Sequence, residues 1–465
     1  MFFRKAGGSK ILKTQKKNDK IETLTMENST IVSVGIFFDG TGNNGINANS
    51  PQKPPYNNES YYGSQTNIYK LFKLFNGDEK AYIEGVGTIT GAEDSSFAMA
   101  TCKNPVGYVG YSSDDKLAKA FAFIDAKMQD KTKEYHFYIY GFSRGAMLAR
   151  TFSYELLNGS RIAKNIRVKF LGVFDTVEST PFNHYNVTVV HGVKNALHLC
   201  AVNECRYFFP LTGVFEDSQN MKDTKSDTGK SVWKEIFVPG AHADVGGGYL
   251  EGSQSVYISP NYVVAQDLEA YVLKVRNTKK DAQGNKIWDH LLKDSKIDVG
   301  SYFSQAYVAR SLVYNDLSKI YGKLMITETN AQTPVFNTNF DESNFEFDAQ
   351  KHPYLVQLSN ELEVYSKDLF PNLKPVYNYG KLADYTHISA NFGLYTKSML
   401  QKINGEINVE EINNGLNVPS HSSVNTINPA LTSDIHLLED GSVTDYAYGS
   451  NIPNNDIWSR SILIK

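Results

Sequence analysis

Two spacings of apolar residues alternate along the first 280 positions of this chain. One is the short, almost unbroken apolar run. Thr30–Phe38, Lys80–Ile83, His136–Tyr140, Arg167–Phe174 and Glu235–Val238 have this texture, which predicts strands buried on both faces, as in a parallel sheet. The other is the helical stripe. Asn67–Phe75 puts Ile68, Leu71, Phe72 and Phe75 on one face and stops at Asn76-Gly77. Ser113 can cap a helix over Asp114–Met128, with Leu117, Ala120, Phe121, Ile124 and Met128 on its stripe. Ala146–Leu157 offers Met147, Leu148, Phe152 and Leu156, and Val263–Val275 offers Val264, Leu268, Tyr271 and Val275. Gly192–Arg206 and Ser304–Leu317 also read as helical. Strands alternating with helices predict an α/β fold, a mainly parallel sheet with helices on both faces. Residues 1–29 read as a flexible basic tail and 30–297 as the catalytic domain, with an insertion over about 183–231. Residues 298–465 read as a mixed, partly helical accessory region.

The stretch between His136 and Leu157 carries the chemistry. A strand runs into Gly141-Phe-Ser-Arg-Gly145 and a helix follows, the arrangement of a nucleophile elbow in an α/β-hydrolase. The glycines remove Cβ atoms from a very tight turn, Ser143 is the candidate nucleophile, and the Arg144 N–H is a candidate oxyanion donor. The strand Thr30–Phe38 ends in Asp39-Gly-Thr-Gly-Asn-Asn44, a loop from which Gly40 or Thr41 can supply a second donor; Asp39 can equally cap its own turn. Asp175 follows the next strand, where a triad acid belongs, and His242 lies in the glycine-rich Pro239–Tyr249 loop. Asp244 either orients that loop or is itself the acid partner. His387, within Asp384–Gly393, is either a rival base or a polar residue at a domain junction. Glu204 and Arg206 pair with each other or with a loop below the site. Gly91–Gly110 reads as a long connection or a lid.

Charge and cysteine content narrow the class. A net charge of −3 argues against a nucleic-acid protein. Three cysteines without a C-x-x-C pair read as free thiols, compatible with cytoplasmic synthesis. Met1–Lys20 has charge but no apolar segment of a secretory signal, and no run is long enough to span a membrane. Action outside the cell would then need another export route.

Four ordered motifs, Phe37–Asn44, Gly141–Ala146, Gly172–Val177 and Pro239–Tyr249, together resemble the α/β-hydrolase domain of type VI secretion phospholipase effectors, over roughly the first 250 residues. Asn195–Arg206 is similar to the segment after the acid in that family, with Asn203 where Asp is commoner, and Asp384–Gly393 is similar to a segment of some members. The resemblance implies a Ser143, Asp175 and His242 triad, hydrolysis of phospholipid acyl esters without a cofactor, and delivery into rival bacteria by a secretion spike or tube. It also implies a cognate immunity protein, and suggests membrane docking by the C-terminal half. Two other classes compete with a serine hydrolase: a metal-dependent hydrolase using Asp39, Asp175, His242 and Asp244, and a non-catalytic binding module.

Overall fold

The computed structural model describes residues 30–54, 58–159, 165–181, 183–215, 233–259, 265–278, 286–299, 304–340, 345–367, 372–392, 451, 453 and 458–463. The expected basic tail, residues 1–29, lies outside the described residues.

The apolar runs assemble into one seven-stranded sheet. In chain order its strands are β1 (Ile31–Phe38), β2 (Glu79–Ile83), β3 (Glu134–Phe142), β4 (Ile166–Phe174), β5 (Ala196–Ala201), β7 (Trp233–Val238) and β11 (Asn372–Leu373). The spatial order is β11-β7-β5-β4-β3-β1-β2, and every neighbouring pair is parallel. The order reverses between β1 and β3, so the crevice of this open sheet lies at the carboxyl ends of those two strands.

Alternation along each strand sorts side chains to two faces. On β3, Tyr138, Tyr140 and Phe142 join a core formed with α1 (Asn67–Leu74), α8 (Leu317–Gln332) and α9 (Pro353–Ser366). Phe137 and Ile139 enter the opposite core, with α3 (Ser113–Lys127) and α4 (Arg144–Asn158). Helices α8 and α9, both beyond residue 298, therefore cover one face of the central sheet. A third core lies around an antiparallel sheet of β8 (Gly252–Tyr257), β10 (Ser304–Val313) and β9 (Lys296–Val299), with α6 (Ala265–Thr278) and α7 (Ile287–Leu291). Two short strands, β6 (Leu211–Thr212) and β12 (Ile462–Leu463), pair in parallel. Among the described residues no helix is long and apolar enough to cross a membrane.

Two expected helices are strands. Gly192–Arg206 contains β5, which lies between β4 and β7 inside the stretch read as an insertion. Ala196–Ala201 is buried at every position, and so short an apolar run has no period that separates helix from strand. Ser304–Leu317 is mostly β10, whose pairing with β8 and β9 overrides its helix-like spacing. The other expected elements form within a few residues of their predicted limits. The cap of α3 is Ser112, not Ser113, and its side chain accepts from the Asp115 N–H.

Candidate active site

The elbow between β3 and α4 brings Ser143 to the crevice. Ser143 has φ 60° and ψ −130°, a strained conformation for a residue with a side chain. It persists because its surroundings fix it. A Cβ on Gly141 would stand 2.5 Å from the Gly145 carbonyl oxygen, and one on Gly145 would stand 2.2 Å from that of Asp39. The Ser143 N–H donates to Phe174 O at the end of β4. The Arg144 N–H opens α4, where the first-turn donors have no helical acceptor.

Asp175 follows β4 directly, also at positive φ (41°), and is fully buried. His242 is the first residue of α5 (His242–Gly246), a short helix where sequence suggested only a loop. Its Nδ1 lies 2.5 Å from Asp175 Oδ2. The Ala201 N–H and the Arg460 guanidinium donate to the other oxygen, Oδ1, each at 2.9 Å. Burial alone would raise the Asp175 pKa, but Arg460 and the His242 contact hold it below the usual carboxylate value. An ionised Asp175 keeps the ring proton on Nδ1 and leaves Nε2 as a base. His242 Nε2 is buried and has no hydrogen-bond partner among the described residues. Burial pushes the His242 pKa down, against the pull of Asp175 and Glu204. The imidazole lies against Phe142, the residue before Ser143, with ring centroids 4.5 Å apart, and against Phe209 at 5.1 Å.

The loop after β1 divides the two expected donors. Asp39 Oδ1 accepts from the Gly40 N–H at 2.8 Å and from Thr66 at 2.6 Å, and Oδ2 accepts from Tyr82 at 2.6 Å. Gly40 is therefore engaged, whereas the Thr41 N–H has no partner among the described residues. Burial lifts Asp39 to about 6.

Asp244 is not the partner of His242. Its Oδ1 meets His387 Nδ1 at 2.6 Å, and its Oδ2 accepts from the Ala241 and His387 N–H groups, each at 2.9 Å. His387 is fully buried and stacked on Tyr249, so it ties the C-terminal part to α5 and sits on its own carboxylate. Asp244→Ala would strand three buried donors. A loss of about 3–5 kcal/mol is expected, with falling activity as α5 loosens. Denaturant unfolding checks this; a wild-type midpoint would mean the tie holds nothing.

The four proposed metal ligands are dispersed in the same way. Asp39 and Asp244 are saturated by protein donors away from the Asp175–His242 pair. Among the described residues one other cluster, His198, Cys200 and Glu235, has ligand-like spacing. Both its ring nitrogens are occupied: Nε2 accepts from the Thr176 N–H and Nδ1 meets Glu235 at 2.9 Å.

The sequence of residues 33–158 and 154–273, just over half of the chain, matches the family described as "T6SS, Phospholipase effector Tle1-like, catalytic domain". The chain belongs to this family. A search of curated proteins gave no match. A solved structure of the Tle1 effector bound to the VgrG spike from the type 6 secretion system is 19% identical, covers 93% of each chain and superposes with a TM-score of 0.58. That likeness establishes the fold as Tle1-like, an α/β-hydrolase-like parallel sheet with a mixed C-terminal region. An uncharacterized protein from Pseudomonas aeruginosa, 16% identical over 78% of this chain and 55% of its own, gives a TM-score of 0.38, too slight a likeness to bear on the fold.

In this Tle1-like site the contact of Glu204 with His242 and the placing of Arg460 went unread in the sequence. Glu204 and Arg206 do pair, at 3.0 Å, but Glu204 also accepts from the His242 N–H at 3.3 Å. Arg206 lies 3.4 Å from the Phe209 ring centroid and holds Glu204 ionised, down to about 2. Adjacent opposite charges were the available signal. Arg460 had none, because a lone Arg in Ser-Arg-Ser marks no motif.

Proposed function

We propose that this Tle1-like effector is a phospholipase of the A type, a serine hydrolase cleaving acyl esters with Ser143 as nucleophile, His242 as general base and Asp175 as orienting acid. The Asp175–His242 contact carries this reading, since it fixes the imidazole with Nε2 unprotonated beside the strained elbow. Ser143 Oγ attacks the acyl carbonyl and its proton passes to Nε2. The Arg144 and Thr41 N–H groups hold the oxyanion. His242 returns the proton to the glycerol oxygen, releasing lysophospholipid. Water then enters by the same base, and fatty acid leaves. Asp39 acts by shaping the loop that presents Thr41, and Asp244 by anchoring α5. No cofactor takes part in these steps.

The family supports action as an antibacterial effector on membrane phospholipid. A VgrG-type spike as carrier, suggested by the related complex, a cognate immunity protein, synthesis in the cytoplasm and delivery to the periplasm or membrane of a target cell belong to the same proposal. The division into a catalytic part ending near residue 297 and an accessory part that docks on membrane or partner belongs to it too. Vesicles of phosphatidylethanolamine and phosphatidylglycerol, followed by mass spectrometry, test the chemistry. Free fatty acid with lysophospholipid is expected; diacylglycerol or phosphatidic acid would mean phosphate-ester cleavage and end the reading.

A further inference from the structure

The acid of the proposed triad is held by a residue 285 positions away in sequence. Arg460 Nη2 donates to Asp175 Oδ1 at 2.9 Å, on the carboxylate oxygen that His242 does not use. Its side chain is only 6% exposed, and its Nε and Nη1 atoms have no partner among the described residues. A guanidinium this buried is costly unless it answers a charge, and Asp175 is the carboxylate it touches.

The backbone on both sides of Arg460 is fastened. Trp458 is fully buried. Its indole donates to Tyr271 Oη at 3.1 Å, its carbonyl accepts from Trp288 Nε1 at 2.9 Å, and its ring meets Trp288 edge-on with centroids 5.3 Å apart. Ser461 O accepts from the Leu211 N–H at 2.8 Å, and β12 then runs along β6. The Thr212 N–H in turn donates to Thr176 O, beside Asp175. The segment Trp458–Leu463 is thus a strap stitched down at each end, presenting one side chain to the triad acid.

We propose that Arg460 is a positioning residue for ester hydrolysis, delivered by this strap to keep Asp175 ionised and its Oδ2 aimed at His242. The proposal rests on the triad reading above. Besides the imidazole, Asp175 would otherwise have one N–H donor, from Ala201, against complete burial. Charged and titratable groups around the pair are Glu204 and Arg206 on the His242 side, and Arg150, the His198–Glu235 pair and the neutral Cys200 thiol behind Asp175. Arg460 is therefore the cation in contact with the acid itself.

Removing Arg460 takes a positive charge from the carboxylate that faces the imidazole, while the acid remains. The acid limb of the kcat/KM–pH profile should move upward, by about one pH unit. In Arg460→Ala, kcat should fall about 10- to 100-fold with KM little changed, as after loss of a contact that orients a ligand. Dilute guanidinium chloride should restore a measurable part of it, whereas sodium chloride should not. Arg460→Met keeps the packed stem and replaces the alanine variant should that fail to fold. Wild-type kcat with an unmoved limb would overturn the inference, as would a loss that follows a lowered melting temperature and is not rescued. Ser143→Ala assayed alongside separates the two claims. If that variant is active the triad reading falls; if it is dead while Arg460→Ala matches wild type, only the role of Arg460 falls.

Discussion

Replacing Ser143 by alanine should lower acyl-ester release by about 10⁴-fold or more, because the members of a nucleophilic triad act as a unit and little chemistry survives without the attacking atom. The fold should persist. Ser143 occupies a conformation set by Gly141, Gly145 and its own backbone bond to Phe174 O, none of which uses the hydroxyl. Thermal melting should therefore match wild type, and binding of a non-hydrolysable lipid analogue should change little. Labelling by a fluorophosphonate should disappear together with turnover. Ester release at the wild-type rate would place the nucleophile elsewhere.

Asp175→Asn should be nearly as severe, about 10⁴-fold in kcat, since an amide facing Nδ1 favours the wrong tautomer and cannot stabilise the imidazolium. It also faces the Ala201 N–H and Arg460 with a neutral group, so a modest loss of stability is expected. The wild-type pH profile gives an independent check. The proposed base, His242, would act in its neutral form, and burial lowers its pKa from 6.5. Activity should hold as the pH drops through the ordinary histidine range and fail only below it, once the ring takes a second proton. An acid limb centred above 6.5 would contradict this environment for His242.

Much of this arrangement was legible in the chain itself. The elbow could be read because a tight turn between strand and helix demands small residues at fixed places, and Gly141 and Gly145 meet that demand. Asp175 and His242 could be read from their order after strands. What could not be read was the pairing of groups distant in sequence. Asp244 lies two residues from His242 and reads from sequence as an alternative acid partner, and only packing shows it turned toward His387. Gly40 and Thr41 were equivalent as backbone donors until Asp39 took the first. The Ala196–Ala201 run failed for a different reason: sheet centre and helix core impose the same apolar composition, and local preference does not decide between them.

The tie between Asp244 and His387 spans 143 residues, and contacts of such separation form late, after the entropy of closing a long loop has been met. A polypeptide emerging from the ribosome, or held extended, would carry Ser143 and His242 long before His387 arrives to brace the short helix that begins at His242. Under the proposed triad, ester hydrolysis would begin only after this long-range tie has closed.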